Sequence, residues 1–225
     1  MDWRIGRLGD AALLIEFDGG IDAATNARVH ALANAMTERR VAWIAEVVPA
    51  YASVAIHVNE DAFDRVADPL ADAEHRLHGL LRDIATAPPR DRTPRCVEIP
   101  VHYGGEHGPD LHRVADSAGL TVEDAVARHA AGDYTVAMLG FAPGFPYLLG
   151  LDPQLSTPRL DSPRTRVPAG SVAIGGAQTG LYPHGGPGGW NLIGRTDLVL
   201  FDARRDPPAL LMPGDHVRFV AVSGA

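Results

Sequence analysis

Three stretches of the sequence hold residues whose types and spacing suit the binding of a small polar molecule. Residues 140–148, GFAPGFPYL, put two prolines, two glycines and three aromatics into nine positions. Proline fixes φ and glycine permits tight turns, so such a loop is stiff. It reads either as a rigid corner with its aromatics in the core or as a pre-shaped wall, with Pro143, Gly144 and Phe145, around a ligand. Residues 157–171, TPRLDSPRTRVPAGS, set Arg159, Arg164 and Arg166 among three prolines. Guanidinium groups on a proline-stiffened segment lose little freedom when they clamp a carboxylate or phosphate, so this is the best anion-binding candidate, with Arg164 ranked ahead of Arg159. Residues 175–195, GGAQTGLYPHGGPGGWNLIGR, hold eight glycines together with Gln178, Thr179, Tyr182, His184, Trp190 and Arg195. A glycine-rich loop can offer backbone N–H groups to an anion, but neither GxGxxG before a helix nor GxxxxGK(S/T) is present. The polar side chains suit an amide-containing small molecule better: Gln178 both donates and accepts, and Tyr182 carries a hydroxyl.

Other chemistries are excluded by what the chain lacks. All 20 basic residues are arginine, which removes Schiff-base catalysis, pyridoxal-phosphate attachment and the Walker-A lysine. A formal charge of −8 with scattered arginines gives no basic stripe for nucleic acid. The lone Cys96 can form no internal disulfide and no thiolate zinc site. Ten histidines include no HExxH, and His102, His107 and His112 at spacings of five share no face of one element, so no metal site is expected. His129, near the end of an expected helix, reads as a base or as a favourable charge on the helix dipole. Neither GxSxG nor SxxK appears, which disfavours a nucleophilic serine. The first residues show no charged-then-apolar leader, and no apolar run approaches the roughly 20 residues that span a bilayer. A soluble, cytoplasmic protein is expected.

The elements that must position these residues fall into two groups. Residues 1–95 carry 5 Gly and 5 Pro, residues 96–225 carry 19 and 13. The junction, residues 87–94, is proline-rich and charged like an exposed linker. Before it, strands are expected at 3–8 and 12–17 around a two-residue turn, Gly9-Asp10. A helix capped by Asp22 follows, then strands at 43–49 and 53–58 and a helix from about Asp61 to Ala85 with a kink or restart at Pro69. That order predicts an α+β two-layer sandwich over residues 1–93. After the junction come a strand at 97–103, two short helices at 110–117 and 121–131, and short strands at 135–140, 171–174, 190–193, 198–201 and 216–222. Broken by Pro/Gly clusters, they predict a mainly-β barrel domain over residues 94–225.

The runs VEIPVHYGGEHGPDL (97–111), GFAPGFPYL, TPRLDSPRTRVPAGSVAIGGAQTGLYP and GGPGGWNLIGRT, with GDAAL (9–13) and VVPAY (47–51), resemble the family of 5-oxoprolinase B subunits. That family is also labelled allophanate hydrolase subunit 1 or KipI-like kinase inhibitor. The resemblance covers essentially the whole chain. It implies a cyclophilin-like fold for the C-terminal barrel and work in a heteromeric, ATP-dependent hydrolase that opens 5-oxoproline (pyroglutamate) to L-glutamate. It further implies two partners. One is the C subunit (KipA-like, allophanate hydrolase subunit 2), which helps activate the lactam; the other is the A subunit (LamB/YcsF-like), which completes ring opening. ATP with its Mg2+ would lie at a site shared with the KipA-like partner. Matched onto this sequence, the family's recurrent positions include Pro143, Gly144, Arg159, Arg164, Gln178, Thr179, Tyr182, Trp190 and Arg195. The roles assigned to them are Arg164 as the carboxylate or phosphate clamp, Gln178 and Tyr182 as orienters of the lactam, and Trp190 as a wall. Phe145, Arg159, Thr179 and Arg195 complete the expected substrate-binding set. The same family includes inhibitors of a sensor histidine kinase and urea-carboxylase-type modules, which stand as alternative functions. A lysine-free, alanine-rich composition fits the metabolic role better.

Overall fold

The computed structural model describes residues 3–63, 66–86 and 95–222. The chain divides into two compact units, Met1–Thr93 and Pro94–Ala225, and the expected linker at 87–94 lies outside the described residues.

In the N-terminal unit β1 (Trp3–Leu8) and β2 (Ala12–Phe17) pair antiparallel with Leu8 opposite Ala12. The turn between them therefore has three residues, not the expected two, and Gly9 supplies the positive φ of 67° it needs. Helix α1 (Ala23–Arg39) starts where the Asp22 carboxylate accepts the Thr25 N–H at 2.9 Å. Strands β3 (Ile44–Pro49) and β4 (Ser53–Val58) complete a sheet of order β1-β2-β4-β3. Helix α2 runs Pro69–Thr86 and does not begin at Asp61; proline fits a helix's first turn, and only one 3-10 turn, Glu60–Ala62, precedes it. Leu13, Ile15, Val54 and Ile56 from alternate strand positions join Val29, Met36 and Leu77 of the helices in one core.

The C-terminal unit runs β5 (Cys96–Tyr103), α3 (Leu111–Ala118), α4 (Val122–Ala131), β6 (Tyr134–Leu139), β7 (Pro146–Leu149), β8 (Arg164–Val167), β9 (Ser171–Gly175), β10 (Gln178–Leu181), β11 (Gly186–Gly188), β12 (Asn191–Arg195) and β13 (His216–Ala221). Seven strands close a barrel in the order β10-β7-β6-β13-β5-β12-β9, with β10 back against β9, while β8 and β11 form a separate two-stranded antiparallel sheet. Closure leaves no unpaired edge in the barrel wall. Residues 198–201 form no strand; only Phe201 bridges to Ala209, and Arg205 donates to the carbonyls of Leu200 and Pro208 in place of a ladder. Prolines 207 and 208 have no N–H to give a strand partner.

Two apolar clusters use opposite faces of this wall. Ile99, Val136, Leu148, Ile174, Leu181, Ile193 and Phe219, one from each barrel strand, meet in the interior. Ala173 and Leu192, on the alternate positions, join Phe145, Val167, Tyr182 and Trp190 outside. No described helix is long and apolar enough to cross a membrane.

Candidate functional site

The outer cluster gathers most of the residues singled out from the sequence. On β10 the period of two puts Gln178 and Gly180, and Tyr182 just beyond, on the outer face, and Thr179 and Leu181 on the inner. The Phe145 ring stands edge-on to Tyr182 at 5.1 Å and to Trp190 at 5.6 Å, and Tyr147 meets Trp190 at 5.8 Å. Glycines leave the room for these rings. A Cβ at Gly175 would sit 2.6 Å from the Trp190 indole, one at Gly188 2.4 Å from the Tyr182 hydroxyl, and one at Gly180 3.1 Å from the Phe145 ring. Three of the eight glycines in residues 175–195, Gly175, Gly180 and Gly188, thus make room for aromatic rings, whereas Gly176 and Gly186 border open space.

The GFAPG loop closes over the cluster. Gly140 N–H donates to Phe145 O and Phe145 N–H to Ala142 O, and Gly144 takes φ 78° with the Phe201 side chain pressed against its Cα. Pro143 sits exposed at the loop's tip. Phe141 holds φ 66°, a strained value for a bulky residue, and is 64% exposed, yet its ring meets Phe145 and Tyr182 edge-on. Burial pushes the phenols of Tyr147 and Tyr182 up; Arg159 opposes the shift at Tyr147, and the Trp190 N–H, Arg159 and Arg164 oppose it at Tyr182. Both stay neutral at physiological pH and act as hydrogen-bonding hydroxyls, not as bases.

The arginines differ in kind. Arg164 lies 2.8 Å from the Asp110 carboxylate, whose other oxygen accepts the Leu192 N–H at 2.7 Å. Asp110, expected to open a helix, makes no side-chain cap to α3 and ties β12 to β8 through these two bonds. The other terminal nitrogen of Arg164, Nη1, is buried with no hydrogen-bond partner among the described residues. Arg159 lies over the Trp190 ring, its Cζ 5.7 Å from the centroid. Arg195 ends β12 beside Gly170 and pairs in register with Ser171 and His102, about 13 Å along the strand from Asn191.

Thr179, expected to touch substrate, instead faces the barrel interior. Its hydroxyl donates to Ala173 O at 2.9 Å and so receives the Nε2–H of His129 at 3.1 Å, which leaves His129 Nδ1 to accept the Tyr103 hydroxyl at 2.8 Å. Desolvation pushes the His129 pKa down to about 3 and the Tyr103 phenol well up. His129, read as a base or dipole partner, is a neutral buried link in a satisfied chain.

Sequence reasoning missed Asp110, Tyr147 and Asn191. Asn191 is fully buried, and its Nδ2 donates to Pro158 O and Ile174 O. A polar residue directly after a tryptophan in an otherwise apolar strand was the available signal. The chain has no lysine, and no three His, Cys, Asp or Glu among the described residues are placed to hold a metal ion.

Residues 3–211 match the family described as carboxyltransferase domain, subdomain C and D. The chain is 42% identical to the 5-oxoprolinase B subunit of Bacillus subtilis, over 98% of this chain and 93% of the relative. It belongs to the 5-oxoprolinase B-subunit family. The Escherichia coli O157:H7 protein of the same name is 43% identical over 95% of this chain and 93% of its own. Among solved structures TTHA0988 superposes with a TM-score of 0.80 and 38% identity over 95% of this chain, which spans 40% of that longer one.

Proposed function

We propose that this chain is the B subunit of a heteromeric, ATP-dependent 5-oxoprolinase. Together with a KipA-like partner it activates 5-oxoproline, and a LamB/YcsF-like partner completes ring opening to L-glutamate. The observation that carries the reading is the outer-wall cluster, in a chain of this family: the buried rings of Phe145, Tyr182 and Trp190 form a rigid base, and Phe141, Arg159 and the half-buried Tyr147 lie at its exposed edge, with the half-buried Gln178 amide on the same face of the wall. A flat, five-membered lactam with one carboxylate presents the complementary groups. Tyr182 and Gln178 hydrogen-bond the lactam and orient it, Phe145 and Trp190 wall it, the Pro143-Gly144 turn holds the wall rigid, and Arg159 and Arg164 set a positive potential. The platform is open on its Phe141 and Arg159 side, which suits a wall closed by a second polypeptide. ATP and Mg2+ belong at the face shared with the KipA-like partner, a reading supported by the missing lysine and GxxxxGK(S/T) loop.

Residues 1–93 and 94–225 act as two domains, the second with a cyclophilin-like barrel, and the complex works in the cytoplasm. In this arrangement Thr179 supports the site from behind the wall, and Arg195 lies at the rim of the barrel.

The test is co-expression with the KipA-like and LamB/YcsF-like partners and assay of glutamate release from 5-oxoproline with and without ATP. ATP-dependent release by the three-part complex alone is expected. Release by this chain unaided overturns the division of labour, and a purified, assembled complex that leaves 5-oxoproline untouched overturns the substrate. Within the active complex, Tyr182→Phe should cut turnover by about 10- to 100-fold while the chain still folds.

A further inference from the structure

The two arginines nearest the aromatic cluster offer a choice that the sequence ranks the other way. Arg164 is already paired with Asp110 at 2.8 Å, and Asp110 is committed to the Leu192 N–H as well. A second carboxylate approaching Arg164 would find only Nη1 unpaired, buried and beside a carboxylate already held on the barrel. Arg159 makes no hydrogen bond or ion pair among the described residues, and the rings around it are neutral. Its charge is the uncompensated one.

The backbone that carries Arg159 is fixed on both sides. Thr157 and Gly176 exchange N–H···O bonds of 3.2 and 2.8 Å, Asn191 Nδ2 donates to Pro158 O at 3.0 Å, and Leu160 N–H donates to Gly189 O at 2.8 Å. The same stretch that holds Trp190 therefore holds the residues flanking Arg159, and the guanidinium lies over that indole with its Cζ 5.7 Å from the ring centroid. An exposed guanidinium on a fixed backbone, drawn towards one indole by a cation–π contact and with its N–H groups meeting no acceptor among the described residues, is available to a bidentate carboxylate.

We infer that Arg159, seated on Trp190, is the residue that reads the substrate's carboxylate, and that Arg164 is a positioning residue which holds Asp110 and thereby β12. This rests on the functional reading above and names the group within it that selects carboxylated over uncarboxylated lactams. Asn191 is the second positioning residue, because it ties the segment before Arg159 to the strand after Trp190.

The experiment compares 5-oxoproline with 2-pyrrolidinone, the same ring without its carboxylate, in the assembled three-part complex. ADP formation and ring-opened product are followed for both. Wild-type complex should favour 5-oxoproline, and Arg159→Gln should lower kcat/KM for 5-oxoproline by about 100-fold, chiefly through KM, while leaving that for 2-pyrrolidinone within about twofold. Arg159→Lys, which keeps the charge and loses the fork, should fall between, about tenfold down on 5-oxoproline. Arg164→Gln should lower both substrates by the same factor. An Arg159→Gln complex that keeps its preference for 5-oxoproline overturns the assignment. So does one that loses both substrates equally, since that pattern marks a group acting on the phosphoryl or on the fold. Both results need an active wild-type complex, so a wrong substrate class shows itself separately, as failure of wild type on 5-oxoproline.

Discussion

The two faces of β10 handle polar groups in opposite ways. On the inner face Thr179, His129 and Tyr103 form a closed chain in which every donor meets an acceptor and which ends on a backbone carbonyl. On the outer face Tyr182 lies near Arg159, whose guanidinium is over the Trp190 indole, and Gln178 points to the same side of the wall. Polar groups that satisfy one another inside a barrel fix one packing arrangement and have nothing left for a ligand. On the outer face the Tyr182 hydroxyl accepts the Trp190 backbone N–H, and Arg159 has no hydrogen-bond partner among the described residues. One strand thus separates polar groups committed to the barrel from those proposed for the site, and on β10 Gln178 and Thr179 differ by one residue.

The largest effect that tests this contrast comes from the inner face. His129→Ala strips the Tyr103 hydroxyl of its acceptor, removes the donor to Thr179 and leaves a cavity beside Phe219, whose ring lies 4.6 Å from the imidazole. A loss of about 3–5 kcal/mol is expected, read from urea unfolding, and a variant as stable as wild type would mean the chain of bonds contributes nothing to the barrel.

The pH dependence follows from the same residue. Folding lowers the His129 pKa from 6.5 to about 3, so below pH 6.5 the unfolded chain takes up a proton that the folded chain refuses. Stability is therefore unaffected by this residue above about pH 7 and falls by up to about 1.4 kcal/mol per pH unit as pH drops from 6.5 towards 3. Comparing urea midpoints of wild type and His129→Gln isolates the effect. The wild type should lose stability faster on acidification, and parallel curves would place a charged histidine inside the barrel.

Much of the fold was legible because its signals are local. Asp22 capping α1, Thr121 capping α4 with its hydroxyl on the Asp124 N–H, and the alternation of Leu13, Ile15, Val54 and Ile56 all act within a few residues of themselves. Strands β7, β8, β10 and β11 escaped because three or four residues bounded by Pro and Gly show no period to read. At the candidate site, Phe145, Tyr182 and Trp190 from the aromatic- and glycine-rich stretches pack together, and Gln178 lies on the same face by strand alternation. Which side of the wall Thr179 took, and which arginine found a carboxylate, depended on His129 and Asp110, which lie 50 and 54 residues away along the chain. No spacing rule reaches that far.

Asp110 sharpens the comparison, since it extends structural polarity onto the outer side. Asp110→Ala leaves a buried Leu192 N–H without an acceptor and Arg164 without its partner, and should cost about 2–3 kcal/mol. Arg164→Met should cost less, about 1 kcal/mol, because the arginine is 29% exposed and its methylenes still pack. A larger loss from Arg164→Met than from Asp110→Ala, both read from urea unfolding, would reverse the dependence, making the arginine and not the carboxylate the anchor of β12.

The smallest effect on stability is expected at Phe141, and its smallness is what makes it informative. A phenyl side chain at φ 66° carries a conformational cost that glycine would not, and at 64% exposure it buries little surface in return. Phe141→Gly should therefore leave the urea midpoint unchanged or raise stability by up to about 1 kcal/mol, the gain of relieved strain offset by a more flexible unfolded chain. If the outer face is a platform for a ligand or for the surface that closes over it, the same substitution should lower turnover of the assembled complex by about tenfold despite the sounder fold. Gain in one measurement with loss in the other identifies a residue kept against its own backbone preference for something outside the chain. A variant that is both more stable and fully active would show that the edge-on contacts of Phe141 with Phe145 and Tyr182 serve neither purpose, and the boundary of the functional face would then move inward to Tyr182 and Trp190.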